Sequence, residues 1–217
     1  MGRRLALRLS MLLILAASVV FGLGGQAWAN HYYAGNYRIP AYGVKADIST
    51  PSSMPGVTNG VVFNFVSNDD SGQWNAVGWV QGDGSNRAPD GTIWPSVPTS
   101  YQESNCAGHY FEALYSAQPL SFNRTYEMVY TGVAGEWAGI IANTRRYGFA
   151  PYTTPTQVEA LSEIAGTTQP HTRAVFTNVQ YKGQYTYFSF NQNYERADNP
   201  RYATFNSFYN YTCYNGM

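Results

Sequence analysis

Cations are scarce in this chain. Lys45 and Lys182 are its lysines, Lys plus Arg reach 13 in 217 residues, and charged residues make up 12%. Arg3, Arg4 and Arg8 lie in residues 1–29, which carry no acid, so residues 30–217 keep ten of the 13 cations against all 13 acids, a net charge near −3. The cationic footprint that phosphate-backbone binding needs is missing, which argues against nucleic acid as a partner. Cysteine is nearly absent too, with Cys106 and Cys213 alone. No Cys-x-x-Cys or His-Glu-x-x-His spacing exists, so no metal or cofactor is expected. His31, His109 and His171 are isolated and no Gly-x-Ser-x-Gly accompanies them, which leaves a serine-hydrolase triad without support. Long apolar runs are also lacking. The longest, 11–23, is cut short by Gly22, Gly24, Gly25 and Gln26, below the ~20 residues a membrane span needs.

What is present begins with an export pattern. Three arginines, that apolar run and Ala27-Trp28-Ala29 together read as a secretory signal peptide over 1–29, cleaved before Asn30. The expected product is secreted, free of the membrane after cleavage, and monomeric. An even cysteine pair in an exported chain most simply forms one disulfide, Cys106 to Cys213. Its loop of about 107 residues would be worth roughly 4 to 5 kcal/mol in the chain-entropy model. The remaining 188 residues suit one domain, and 16% aromatics with 44% hydrophobics provide a core.

Short runs alternate apolar and polar residues between breaks at Gly, Pro, Asn and Asp, as in a sandwich or barrel. Strands are expected over 44–48, 61–66, 74–81, 109–115, 125–130, 137–142, 172–181, 185–190 and 203–208. Turn chemistry separates them at 68–72, Asp83-Gly84, Asp90-Gly91, 132–135 and 182–184, and the acids there read as turn formers. Residues 154–165 break the pattern. Thr154-Pro155-Thr156-Gln157-Val158-Glu159 carries a Thr-x-x-Glu capping box, and Val158, Leu161 and Ala165 fall at helical spacing, which favours a short helix. Read as a strand, the same run puts Glu159, Leu161 and Glu163 on one face and Val158, Ala160 and Ile164 on the other.

Several pieces occur in a familiar order. Tyr42-Gly43-Val44-Lys45-Ala46-Asp47-Ile48-Ser49 followed by Pro51 resembles the opening strand of neprosin-type domains. Trp74-Asn75-Ala76-Val77-Gly78-Trp79 resembles the family strand that ends in Gly-Trp. Glu136-Trp137, Tyr147-Gly148 and Glu159-Ala160-Leu161-Ser162-Glu163 then follow in the family's order, so the likeness spans about 42–166. His109-Tyr110-Phe111-Glu112 is similar to the Tyr-x-Glu strand of the related fungal glutamic peptidases, the eqolisins.

The resemblance implies an all-β, antiparallel two-sheet sandwich of jelly-roll, concanavalin-like form over residues 30–217. It also implies an extended peptide in a concave sheet, hydrolysed at acid pH by water that a glutamate activates. Glu159 falls on the family's second catalytic glutamate, with Glu163 next if the register slips. The first catalytic position falls on Ala76, which leaves Gln81 or Glu112 as the partner group. Such a pair is chemically reasonable, since one carboxylate can take water's proton while a neutral partner polarises the carbonyl. Trp74, Trp79, Trp94, Tyr110, Tyr126 and Trp137 are candidate groove residues, or else core. Ala76 keeps two other readings open. One is a non-catalytic module holding a peptide or glycan, and the other is a structural surface protein with exposed edge strands.

Overall fold

Val44, Ala46 and Ile48 alternate with Lys45, Asp47 and Ser49, and in a computed structural model of the chain that alternation puts the first set inward and leaves the second partly exposed. The structure describes residues 31–38, 40–53, 57, 60–70, 72–106, 109–149, 157–165, 173–190, 195–198, 201–207 and 209–215. The expected signal segment and the expected cleavage before Asn30 lie outside them. The described residues form strands β1 (His31–Arg38), β2 (Gly43–Ser49), β3 (Val61–Asp70), β4 (Gln73–Gln81), β5 (Thr99–Cys106), β6 (His109–Ala117), β7 (Asn123–Tyr130), β8 (Glu136–Ile141), β9 (Thr144–Phe149), β10 (Gln157–Ala165), β11 (Ala174–Lys182), β12 (Tyr187–Ser189), β13 (Glu195–Ala197), β14 (Arg201–Ser207) and β15 (Asn210–Asn215).

The strands make two antiparallel sheets. The first runs β13-β1-β10-β3-β4-β5-β6, and the second runs β14-β15-β11-β2-β7-β8-β9 with β12 beside β11. Val66, Val77, Trp79, Val158 and Ala160 of the first sheet meet Ala46, Ile48, Tyr126, Met128, Trp137 and Phe176 of the second in one core. Each large apolar side chain buried this way contributes roughly 1.5 to 3 kcal/mol, so Trp137→Ala would cost about 3 to 5 kcal/mol with its cavity. The sheets approach closely at Gly139, where a Cβ would run into Val77. This is the expected two-sheet sandwich, and the described residues contain no helix.

Two expectations are corrected. Residues 157–165 form a strand, β10, rather than a short helix. β10 is paired on both edges, by β1 and β3, and Val158, Ala160, Leu161, Ile164 and Ala165 are buried on its two faces. Apolar residues at both parities of a central strand imitate helical spacing. The cysteines, expected as a disulfide, are buried thiols not bonded to each other. Cys213 on β15 donates to the Ala34 carbonyl of β1 at 3.3 Å, whereas Cys106 lies on β5 and contacts the Trp74 carbonyl. β1 and β5 are four strand positions apart in the first sheet, about 19 Å across the ladder. A disulfide needs Cα atoms within about 7 Å.

Candidate active site

Register across five strands sets one row of side chains: Glu159 on β10, Ser67 on β3, Ala76 on β4, Glu103 on β5 and Glu112 on β6. Directly paired residues of antiparallel strands share a face. The neighbours Val158, Val66 and Val77 point into the core, so the row looks out from the sandwich. Gln157, Asp69, Trp74, Asn105 and Tyr110 form the next row on one side. On the other side stand Leu161, Phe65, Gly78, Tyr101 and Leu114, and Glu163 pairs with Phe63 one row further. The face thus carries Asp69, Glu103, Glu112, Glu159 and Glu163, and none of these five strands contains a Lys or Arg.

Small residues, Ser67 and Ala76, separate Glu159 from Glu103, three strand spacings or about 14 Å apart at Cα. Glu159 accepts hydrogen bonds from Ser67 Oγ at 3.1 Å and from Gln157 Nε2. Glu103 accepts from Trp74 Nε1 at 3.2 Å and from the Tyr110 hydroxyl at 3.0 Å. The same hydroxyl reaches Glu112 at 3.0 Å, and Trp94 Nε1 donates to both Glu112 oxygens at 2.8 and 2.9 Å. Asp90, from the segment between β4 and β5, accepts the Glu112 backbone N–H at 2.8 Å.

All four glutamates are at most 8% exposed. Burial first, then repulsion from Glu112 and Glu163, pushes Glu103 up to about 8 against the pull of the Tyr110 and Trp74 hydrogen bonds. Burial pushes Glu112 up to about 7, with Trp94 and Tyr110 pulling down and Asp90 adding repulsion. Adjacent carboxyls like these titrate as a pair, and at acid pH the pair holds protons it can donate. Tyr101, fully buried, lies with its ring 5.4 Å from Phe63, and its hydroxyl has no hydrogen-bond partner among the described residues.

The structure brings together Glu159, Glu163, Glu112, Trp74 and Tyr110 from the sequence candidates, along with Trp94. It places Gln81 apart, on the inward face of β4, fully buried with Nε2 donating to the Ser96 carbonyl. Trp79 and Trp137 are core residues, as is Tyr126, whose hydroxyl bonds Ser100 Oγ. Sequence reasoning missed Glu103 and Tyr101. The signal was a repeated pattern: Tyr101-Gln102-Glu103 and Tyr110-Phe111-Glu112 are Tyr-x-Glu runs on consecutive strands.

No protein-family model and no curated protein matches the chain. Among solved structures it is similar to scytalido-glutamic peptidase bound to a transition-state-analogue inhibitor, with TM-score 0.59 at 12% identity, covering 85% of this chain and 98% of that one. The same peptidase with a peptide-based transition-state analogue gives TM-score 0.54 at 11% identity and the same coverage. SCP-B, a member of the eqolisin family of peptidases in complex with the tripeptide Ala-Ile-His, gives 0.52 at 10%, again over 85% and 98%. The chain therefore has a glutamic-peptidase-like fold.

Proposed function

We propose that the chain is a secreted, acid-acting glutamic-type endopeptidase of neprosin-like kind, with Glu159 as the base and the Glu103–Glu112 pair as the acid. The observation that carries this reading is the row Glu159, Ser67, Ala76, Glu103, Glu112 on the outer face. Small side chains, Ser67 and Ala76, stand at its centre between an acceptor and a proton donor. The sequence resemblance puts the first dyad position at Ala76, and Glu103 is paired with Ala76 on the neighbouring strand. The peptide-based ligands held by structures of the same fold support an extended peptide here.

In the reaction, Glu159 takes a proton from water and the water oxygen bonds to the carbonyl carbon, whose π electrons pass to its oxygen. As C–N breaks, the pair gives a proton to the leaving amine and the carbonyl re-forms. Glu159 then releases its proton to solvent and the pair takes one up from solvent, so one water is consumed per bond. Glu103 and Glu112, both raised by burial, keep a proton where ordinary carboxyls have lost theirs, which suits them to the acid's role.

One observation favours non-catalytic binding of a peptide or glycan instead: Ala76 has no group to offer where the family has an acid or amide. Incubating the chain lacking residues 1–29 with an unfolded protein between pH 2 and 8 separates the two. Hydrolysis that Glu159→Gln abolishes supports the peptidase. Saturable binding without hydrolysis, unchanged in Glu159→Gln, supports recognition alone.

A further inference from the structure

Lys45 and Asp47 of β2 project from the outer face of the second sheet, because Val44, Ala46 and Ile48 fill the core, and Gln180 and Thr125 are paired with them on the neighbouring strands. β11 departs from its ladder here. Thr177 pairs with Asp47 and Gln180 with Lys45, so Asn178 and Val179 both stand opposite Ala46. Val179 takes the inward place in the core, and Asn178, at φ 53°, turns outward and is exposed. A bulge interrupts the ladder and a left-handed residue is strained, although asparagine tolerates that conformation better than most. Asn210 Oδ1 accepts the Asn178 backbone N–H at 3.2 Å. Asn178 Nδ2 donates to Asp47 Oδ2 at 2.7 Å, and Thr125 Oγ1 donates to Asp47 Oδ1 at 2.5 Å. Lys45, Asp47, Thr125, Asn178 and Gln180 thereby line a cavity of about 310 Å³, at the small end of the range for ligand sites.

Both lysines of the chain come to this patch. Lys45 Nζ lies 4.2 Å and Lys182 Nζ 5.9 Å from the centre of the Tyr187 ring, whose hydroxyl donates to Glu127, the residue paired with Lys45. Two cations are thus balanced by two carboxylates, Asp47 and Glu127. An anionic ligand would meet Asp47, a cationic one would meet Lys45, and an apolar one would strip water from charged and amide groups without replacing it. A neutral ligand rich in hydroxyls avoids all three costs, since each hydroxyl can donate to a carboxylate or amide oxygen and accept from an ammonium or amide N–H. We propose that this pocket binds one unit of a neutral glycan chain, on the face of the sandwich opposite the glutamate row. Asp47, its two oxygens fixed by Thr125 and Asn178, accepts from sugar hydroxyls, while Lys45 and the amides of Asn178 and Gln180 donate to them. The Tyr187 ring holds the Lys45 ammonium in place. Such binding needs no hydrolysis at the other face, so it attaches the protein to a polysaccharide whether or not the glutamate row cleaves peptides.

Titrating cellotetraose, maltotetraose, mannotetraose and N-acetylchitotetraose into nitrogen-15-labelled protein, followed by amide chemical shifts, tests this. At least one should bind saturably with Kd below about 1 mM, with the largest shifts at Thr125, Asn178 and Gln180. Asn178→Gly removes the amide and suits the left-handed backbone, and Gln180→Ala removes the second amide from a partly exposed position. Each variant should keep its melting temperature within a few degrees and bind the same sugar roughly tenfold more weakly. Four results would overturn the assignment: no saturable shift with any of the four sugars, shifts centred on the Glu159 to Glu112 row instead, affinity unchanged in both variants, or equal or tighter binding of the anionic tetragalacturonate or the cationic chitosan tetramer.

Discussion

Glu103 and Glu112 face each other across β5 and β6, and the Tyr110 hydroxyl donates to both at 3.0 Å. Their carboxyls stand at about 8 and about 7 in the fold against an ordinary 4.5. Between those values the folded chain binds more protons than the unfolded chain, so stability falls as pH rises from about 4.5 to about 8. The melting temperature should be highest near or below pH 4.5 and drop steadily to pH 8. Glu103→Gln should flatten that slope and raise the melting temperature at pH 8. A melting temperature that climbs with pH over this window would contradict the assignment.

Trp94 supplies the indole N–H that both oxygens of Glu112 share, while its ring packs edge-on against Phe63. Trp94→Phe keeps an aromatic ring and deletes the donor that favours the charged carboxylate. Carbon-13 titration of the glutamate carboxyls should then place Glu112 above about 7. A midpoint that stays put or falls would show that the indole does not govern it.

The thiols give a redox prediction. Cys106 and Cys213 are both buried and not bonded to each other, so a reductant should leave the melting temperature unchanged. Alkylation of the denatured chain without reductant should add two labels. A destabilisation of several kcal/mol on reduction, the usual cost of losing a native disulfide, would refute this placement.

Gly78 is fixed by the close approach of β3, since a Cβ there would strike the Asn64 carbonyl and the Phe65 backbone. Gly78→Ala should destabilise by about 2 to 4 kcal/mol, the range of severe core overpacking. Chemical denaturation would read this directly, and a loss under 1 kcal/mol would mean that the strands separate easily.

The sandwich was legible where a strand has one face on the core, as in β2, whose Val44, Ala46 and Ile48 alternate with Lys45 and Asp47. β5 was not legible. Its inward residues Ser100, Gln102 and Ser104 are polar and buried, so the period-two apolar pattern is missing. Without β5, Glu103 had no place on a face, and Gln81 and Glu112 were the partners left to consider. β10 failed for the opposite reason, being apolar on both faces. The family likeness tied Glu159 to Ala76 across 83 positions of sequence, and register places both in one row with Ser67 between them. What the likeness did not carry was the adjoining carboxylate, because that depends on a strand whose polar interior hides its period.

The most direct test of the central claim is the rate of peptide-bond hydrolysis against pH for the chain lacking residues 1–29 and for its Glu159→Gln variant. The base must be ionised and the Glu103–Glu112 pair must hold a proton. Hydrolysis should therefore be greatest in acid, decline as pH rises through about 7 to 8, and fall at least 10²-fold in Glu159→Gln at every pH. Equal rates in the two forms, or a rate that keeps rising above pH 8, would contradict it.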